Sequence, residues 1–281
     1  MRSSLFILIA IPVIGIFAGC SKIGKFNDPG AAAHLCNITQ FTTIYSGSPA
    51  TYNILYDAKG NPTEIKPSNS STGYITRFFY DKKGNLITFR LDNFRSPTDS
   101  TDIYEHHYYY APNGKFINDT SYLLPNFPVP PGYVPGWNKL ELDAEGRVIK
   151  DSALPVSLDP NVIEVVLDYT YDAKGDLTSV IDEAGYFPPI HYTSYDDKVN
   201  WRQTNRTWQL INRDYSRNNY VDPAGSFSIT GYTSFGLPRG ISFQPVPDNT
   251  NVGIFLPSSP YVYNDLYFQY ACDLPGGPGK Y

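Results

Sequence analysis

The sequence predicts an all-β protein: an extended, curved antiparallel sheet of repeated hairpins, with long proline-rich loops and one short helix. Three observations carry that prediction. The 281-residue chain holds 24 Tyr, 16 Phe and 3 Trp but only 14 Ala, so strand-favouring aromatics abound where the best helix former is scarce. Its 24 Pro and 22 Gly break the chain too often for any long helix. A turn signal also recurs along the chain, flanked each time by β-branched and aromatic residues. With 41% hydrophobic and 17% charged residues, there is enough apolar surface for a core, and the composition is not that of a disordered chain.

The N-terminus comes first in the argument. Met1-Arg2-Ser3-Ser4 supplies a short basic region, Leu5 to Phe17 an apolar run, and Ala18-Gly19-Cys20 small residues before a cysteine. The apolar run is too short for a comfortable membrane span of about 20 residues and reads as a secretory signal. Phe17-Ala18-Gly19-Cys20 resembles the lipobox of bacterial lipoproteins, with Phe17 in place of the usual Leu. That resemblance implies cleavage before Cys20, acylation of Cys20, and a stable membrane anchor. Ser21, where an Asp would change the sorting, implies delivery to the outer membrane. The expected organisation is thus a signal peptide over 1–19, a lipidated tether over 20–35, one β domain over 36–273 and a short tail over 274–281.

With Cys20 assigned to lipid, Cys36 and Cys272 remain as an even pair in an oxidising compartment, at the first and last expected strands. A bridge and two separately buried thiols both fit, because spacing alone does not establish a Cα separation.

Within the domain, the turns align. Tyr56-Asp57-Ala58-Lys59-Gly60-Asn61 and Tyr80-Asp81-Lys82-Lys83-Gly84-Asn85 are followed by related segments at Tyr110, Leu142 and Tyr171, and by degenerate ones at Tyr195, Tyr220 and Tyr232. In each full unit the Asp accepts backbone hydrogen bonds, two residues take the corners, and the Gly adopts positive φ. Each unit is therefore strand, turn, strand, and neighbouring hairpins must pair edge to edge to be stable. These motifs resemble the YD repeats of RHS-type proteins, and more closely those of YD-repeat lipoproteins of the Bacteroidota, over residues 36 to 272. In RHS proteins long arrays of such repeats build shells or display carbohydrate-binding surface; eight imperfect units are too few to enclose another domain.

One segment departs from the β pattern. Trp201, Trp208, Ile211 and Tyr215 fall at helical spacing, which predicts one short amphipathic helix between Asp197 and Tyr215, N-capped by Asp196 or Asp197 and packed on the sheet.

Residues 123–137 and 244–260 read as long loops rich in proline, with a shorter relative around Tyr186. Such connections are often functional, and Phe127, Tyr133, Trp137, Tyr186 and Phe255 are the expected ligand-binding residues. Catalytic constellations are thin. His106 and His107 point to opposite strand faces and cannot share a metal; Glu105 and His107 share a face but lack a third ligand, so the histidines read as surface residues on a polar strand. No nucleophile-elbow, zincin, P-loop or dinucleotide fingerprint occurs, and no metal or cofactor is expected. A net charge of -5 disfavours nucleic acid as a partner. The expected function is a non-enzymatic envelope protein whose partners are the membrane, through Cys20, and a glycan or envelope protein. A structural or assembly role and an atypical carboxylate-based glycan hydrolase are the competing readings.

Overall fold

A computed structural model describes residues 36–45, 48–69, 73–96, 99–123, 136–154, 165–223, 225, 227–243 and 265–273. The leader, tether and tail, residues 124–135 of the first long loop and all of 244–260 lie outside the described residues. The strands are β1 (Ile38–Tyr45), β2 (Ser48–Tyr56), β3 (Pro62–Pro67), β4 (Gly73–Tyr80), β5 (Leu86–Ser96), β6 (Asp99–Tyr110), β7 (Phe116–Leu123), β8 (Gly136–Leu142) and β9 (Val148–Leu154). They continue as β10 (Val165–Tyr171), β11 (Leu177–Asp182), β12 (Ile190–His191) and β13 (Tyr195–Val199), then helix α1 (Arg206–Asn212), β14 (Asn218–Tyr220), β15 (Phe227–Ile229), β16 (Gly240–Phe243) and β17 (Asp265–Tyr270).

Fifteen strands form one open sheet in the order β12 down to β1, followed by β17, β16 and β15. The expected antiparallel sheet of consecutive hairpins is therefore present from β1 to β12. The register slips by one residue at Leu55/Tyr56, Phe79/Tyr80, Glu141/Leu142 and Thr170/Tyr171, the same place in each repeat. These are bulges next to a turn whose Gly has positive φ, 84° at Gly60 and 87° at Gly84. The alternation of strand side chains is plainest in β17, where Leu266, Phe268 and Tyr270 are buried and Tyr267 and Gln269 are exposed.

The repeat tyrosines point inward and tie one unit to the previous one. The Tyr56 hydroxyl donates to the Ile38 carbonyl at 2.7 Å, Tyr80 to Pro62 at 2.8 Å, and Tyr195 to Leu177, each across 18 residues. A buried phenol needs such a partner, so these tyrosines fix the register of the array.

The last strand departs from sequence order. β17 pairs with β1, with Phe41 opposite Phe268, and β16 and β15 extend the sheet beyond it. Cys36 and Cys272, just outside this pair, form a disulfide with Cα atoms 5.1 Å apart, and the Ala271 N–H donates to the Asn37 carbonyl at 2.8 Å.

Two expectations need correction. The degenerate units at Tyr195 and Tyr220 do not extend the main sheet; β13 and β14 make a separate two-stranded one. The helix does not run from Asp197, nor is it capped there. Asn200 caps a 3-10 turn over Trp201–Thr204, and Asn205, in extended conformation, caps α1 by accepting from the Thr207 N–H at 2.9 Å. The extended backbone at Asn205 interrupts the helical path between the two tryptophans, although their burial is as expected. Asp196 is engaged elsewhere, accepting from the Lys198 and Asn219 N–H groups and the Tyr232 hydroxyl.

Together, residues 201–216 cap the inner face of the sheet. Trp201 is stacked on Phe268, centroids 5.5 Å apart, and Trp208 meets Phe78 edge-on at 5.8 Å. Both indoles are fully buried, and truncating such a ring typically costs about 3–5 kcal/mol. The opposite, outer face carries charged pairs such as Lys139–Glu141 at 3.1 Å and Lys150–Asp168 at 3.3 Å. Solvent-exposed pairs of this kind contribute about 0–1 kcal/mol each.

Candidate functional site

The repeat turns stand in a row along one edge of the sheet. Asp57 accepts from the N–H groups of Lys59 and Asn61 and from the Asn61 carboxamide at 2.8 to 2.9 Å. Asp81 repeats the arrangement with Lys83 and Asn85, and Asp143 and Asp172 accept from the corresponding amides. In the third turn Ala111 replaces the Asp, and Asn113 accepts from the Lys115 N–H at 3.0 Å. Each Asp is thus consumed within its own turn. The third turn position is Lys in three of the turns, Lys59, Lys83 and Lys174, and Glu145 in the fourth; the Lys59 ammonium donates to the Lys82 carbonyl of the next turn at 3.4 Å.

The cap docks against this row. The Asn205 carboxamide donates to the Gly60 carbonyl at 2.9 Å, Thr207 shares a 2.9 Å hydrogen bond with Tyr80, and the Leu177 N–H donates to Ser216 Oγ at 3.0 Å. Between cap and turns runs a groove made of two cavities, 480 Å³ and 260 Å³, which share Lys59, Asn61, Gly84, Arg206 and Thr207. The size is that of a small-molecule site. Tyr110 and Tyr215 line the larger cavity. Burial pushes the Tyr215 phenol up to about 12 and Tyr110 higher still, so both remain neutral hydrogen-bonding groups. Among the described lining residues there is no Asp or Glu.

A second cluster lies deeper, on the inner face. Arg213 follows α1 with φ of 53°, a left-handed conformation that ordinarily favours Gly. From there its guanidinium reaches Asp119 on β7 at 3.0 Å and Asp151 on β9 at 3.2 Å. His106 Nδ1 is 2.8 Å from the other Asp119 oxygen, and the Asn138 carboxamide donates to Asp151 at 2.9 Å. Burial alone would raise the Asp119 pKa, but the His106 hydrogen bond and the Arg213 charge more than offset it and hold it below the ordinary carboxylate value. Two carboxylates clamped on one guanidinium are not poised as the proton donor and base that glycoside cleavage needs. The cluster fastens the cap to the sheet.

The histidine expectation is therefore right for one residue and wrong for the other. His107 pairs with Glu105 at 2.8 Å. His106 is turned inward, stacked on Phe89 at 4.6 Å and bonded to buried Asp119, because strand alternation puts it on the face that carries Tyr108. No group of three or more metal-binding side chains occurs among the described residues, and no described helix is long and apolar enough to cross a membrane.

Of the expected ligand-binding residues, Phe127, Tyr133 and Phe255 lie outside the described residues. Trp137 is partly buried on β8, opposite Thr120. Tyr186 is 53% exposed after β11, three strands along the sheet, and the two do not converge. The groove residues Lys59, Lys83 and Arg206 were not singled out in the sequence. The signal for the first two is their equivalent place in successive turns; Arg206 has none.

No family model matches the chain, and no curated protein matches it. Among solved structures the chain is similar to chains in crystal structures of TcdB2-TccC3-TEV, TcdB2-TccC3-Cdc42 and TcdB2-TccC3, at 13%, 14% and 14% identity with TM-scores of 0.26, 0.29 and 0.27. The matches cover 75%, 76% and 72% of this chain and 11% of each of those chains.

Proposed function

We propose that the protein is a non-enzymatic lipoprotein of the cell envelope, held to the outer membrane through Cys20, and that it binds a saccharide in the groove between the repeat turns and the cap. The observation that carries the reading is that groove: a cavity walled by tyrosine rings, carboxamides and cations on a scaffold whose other aromatics are mostly committed to packing. Sugars are held by such mixtures of flat apolar surface and hydrogen-bonding groups. The lack of carboxylates in the described lining, and the engagement of Asp119 and Asp151 by Arg213, support a binding role over hydrolysis.

The anchor is tied to the chain close to one wall of the groove. Asn37 lines the smaller cavity, and Cys20 precedes Cys36 by 16 positions, a segment that spans at most about 55 Å. A bound glycan is thus held near the envelope surface. In cell fractionation, Cys20→Ala is expected to shift the protein out of the membrane pellet; unchanged partitioning refutes lipidation. On a glycan array, the folded protein is expected to retain a restricted set of saccharides, and an empty array removes the binding function.

A further inference from the structure

Resting on the groove as a saccharide site, we propose that its ligand is an anionic saccharide, a sugar chain bearing carboxylate or phosphate groups. Three cations line the groove: Lys59, Lys83 and Arg206. Among the described residues, none of the three has a carboxylate within ion-pairing distance, a state they share with Lys82, Lys115, Lys174 and Arg217, whereas Arg77, Arg147, Lys150, Arg202 and Arg213 are paired. In a chain of net charge -5, the charged side chains that face the groove itself are thus all of one sign, the arrangement that draws an anionic ligand.

The sequence explains how the groove lining stays free of acid, although the charges of Asp81 and Asp143 just behind it still act on Tyr110 and Tyr215. Each turn Asp faces its own backbone, with Asp57 and Asp81 each receiving three hydrogen bonds. Lys59 and Lys83 occupy the same repeat position on turns two strands apart, a separation of about 10 Å. Arg206 enters from the cap, and one of its terminal nitrogens lies 3.3 Å from where a side chain on Gly146 would begin. Gly146, required by its φ of 79° as in the other turns, also leaves space beside the guanidinium. The cations are spread along the groove instead of converging on one point, which suits a chain with several anionic groups. Tyr110 and Tyr215, neutral groups in the same lining, are of the type that packs on and hydrogen-bonds to sugars.

The test uses the detergent-solubilised full chain and calorimetric titration with trigalacturonate, mannose 6-phosphate and neutral maltotriose, with inorganic phosphate as competitor. At least one anionic sugar is expected to bind more tightly than maltotriose, with affinity falling as salt rises. Arg206→Gln and Lys83→Gln should each weaken it about tenfold or more, and Lys150→Gln on the outer face should not. Unchanged melting of the variants establishes that they are folded. Equal binding of maltotriose, with no effect of Arg206→Gln, overturns the anionic assignment and leaves a neutral-sugar groove standing. Displacement by equimolar phosphate reduces the groove to a bare anion site and also overturns it. Absence of binding by all three sugars rejects the saccharide reading itself.

Discussion

Replacing Arg213 by Met is expected to destabilise the fold by about 3–5 kcal/mol, because it strands two buried carboxylates that share one guanidinium. Asp119 and Asp151 lie on different strands and are almost inaccessible to water, so neither can recover its solvation once the charge is gone. The loss should depend on pH in a defined direction. In the intact protein the Asp119 pKa is depressed, so its stabilising contribution is complete above the unfolded value of about 3.9 and is lost as pH falls through the folded one. In the variant, Asp119 keeps only His106 against its burial and is relieved by protonation at acidic pH. The gap between the two proteins, measured by urea unfolding, should therefore narrow from pH 7 to pH 4. Adding Asp119→Asn and Asp151→Asn to Arg213→Met should recover part of the loss at pH 7. A gap below about 1 kcal/mol at neutral pH, or one that widens on acidification, contradicts a buried ionic clasp.

That clasp also marks the limit of what the residues disclose in one dimension. The turns are legible because all their determinants lie within a few positions: an Asp, two corner residues and a Gly. The strands beside them follow from alternation, and edge-to-edge pairing follows from the marginal stability of a lone hairpin. Arg213, by contrast, is 94 residues from Asp119 and 62 from Asp151. The one local hint is that Asp119 shares the inward phase of Ile117 on β7, an acidic residue on a face meant for apolar ones. The same holds for the groove. Lys59 and Lys83 repeat in phase and are visible as a pair, but only docking of the cap brings Arg206 over Gly146. The helix shows the intermediate case. Its apolar spacing correctly predicts that Trp201 and Trp208 are buried, yet the extended backbone at Asn205 divides the segment, and no propensity argument distinguishes that from one continuous helix.

The return of β17 to β1 had no local signal either, and it determines what the disulfide does. Removing the bond with Cys36→Ala and Cys272→Ala releases a loop closed across 236 residues, for which the chain-entropy argument gives up to about 5 kcal/mol. The effect should be uneven over the sheet. β2 to β7 remain held by short connections, whereas β17 has no neighbour close in sequence on its β1 side, and it carries β16 and β15 with it. Hydrogen exchange should therefore rise first in β17 and only later in β4 to β7. The tryptophans provide an independent reading, because Trp201 rests on Phe268 of β17 while Trp208 rests on Phe78 of β4. With Trp137 replaced by Phe in both backgrounds, a Trp208→Phe version should show red-shifted emission when the cysteines are removed, and a Trp201→Phe version should change little at the same denaturant concentration. Equal shifts from the two indoles would mean that the C-terminal strand unfolds together with the repeat array, and that the disulfide stabilises the whole sheet instead of one seam.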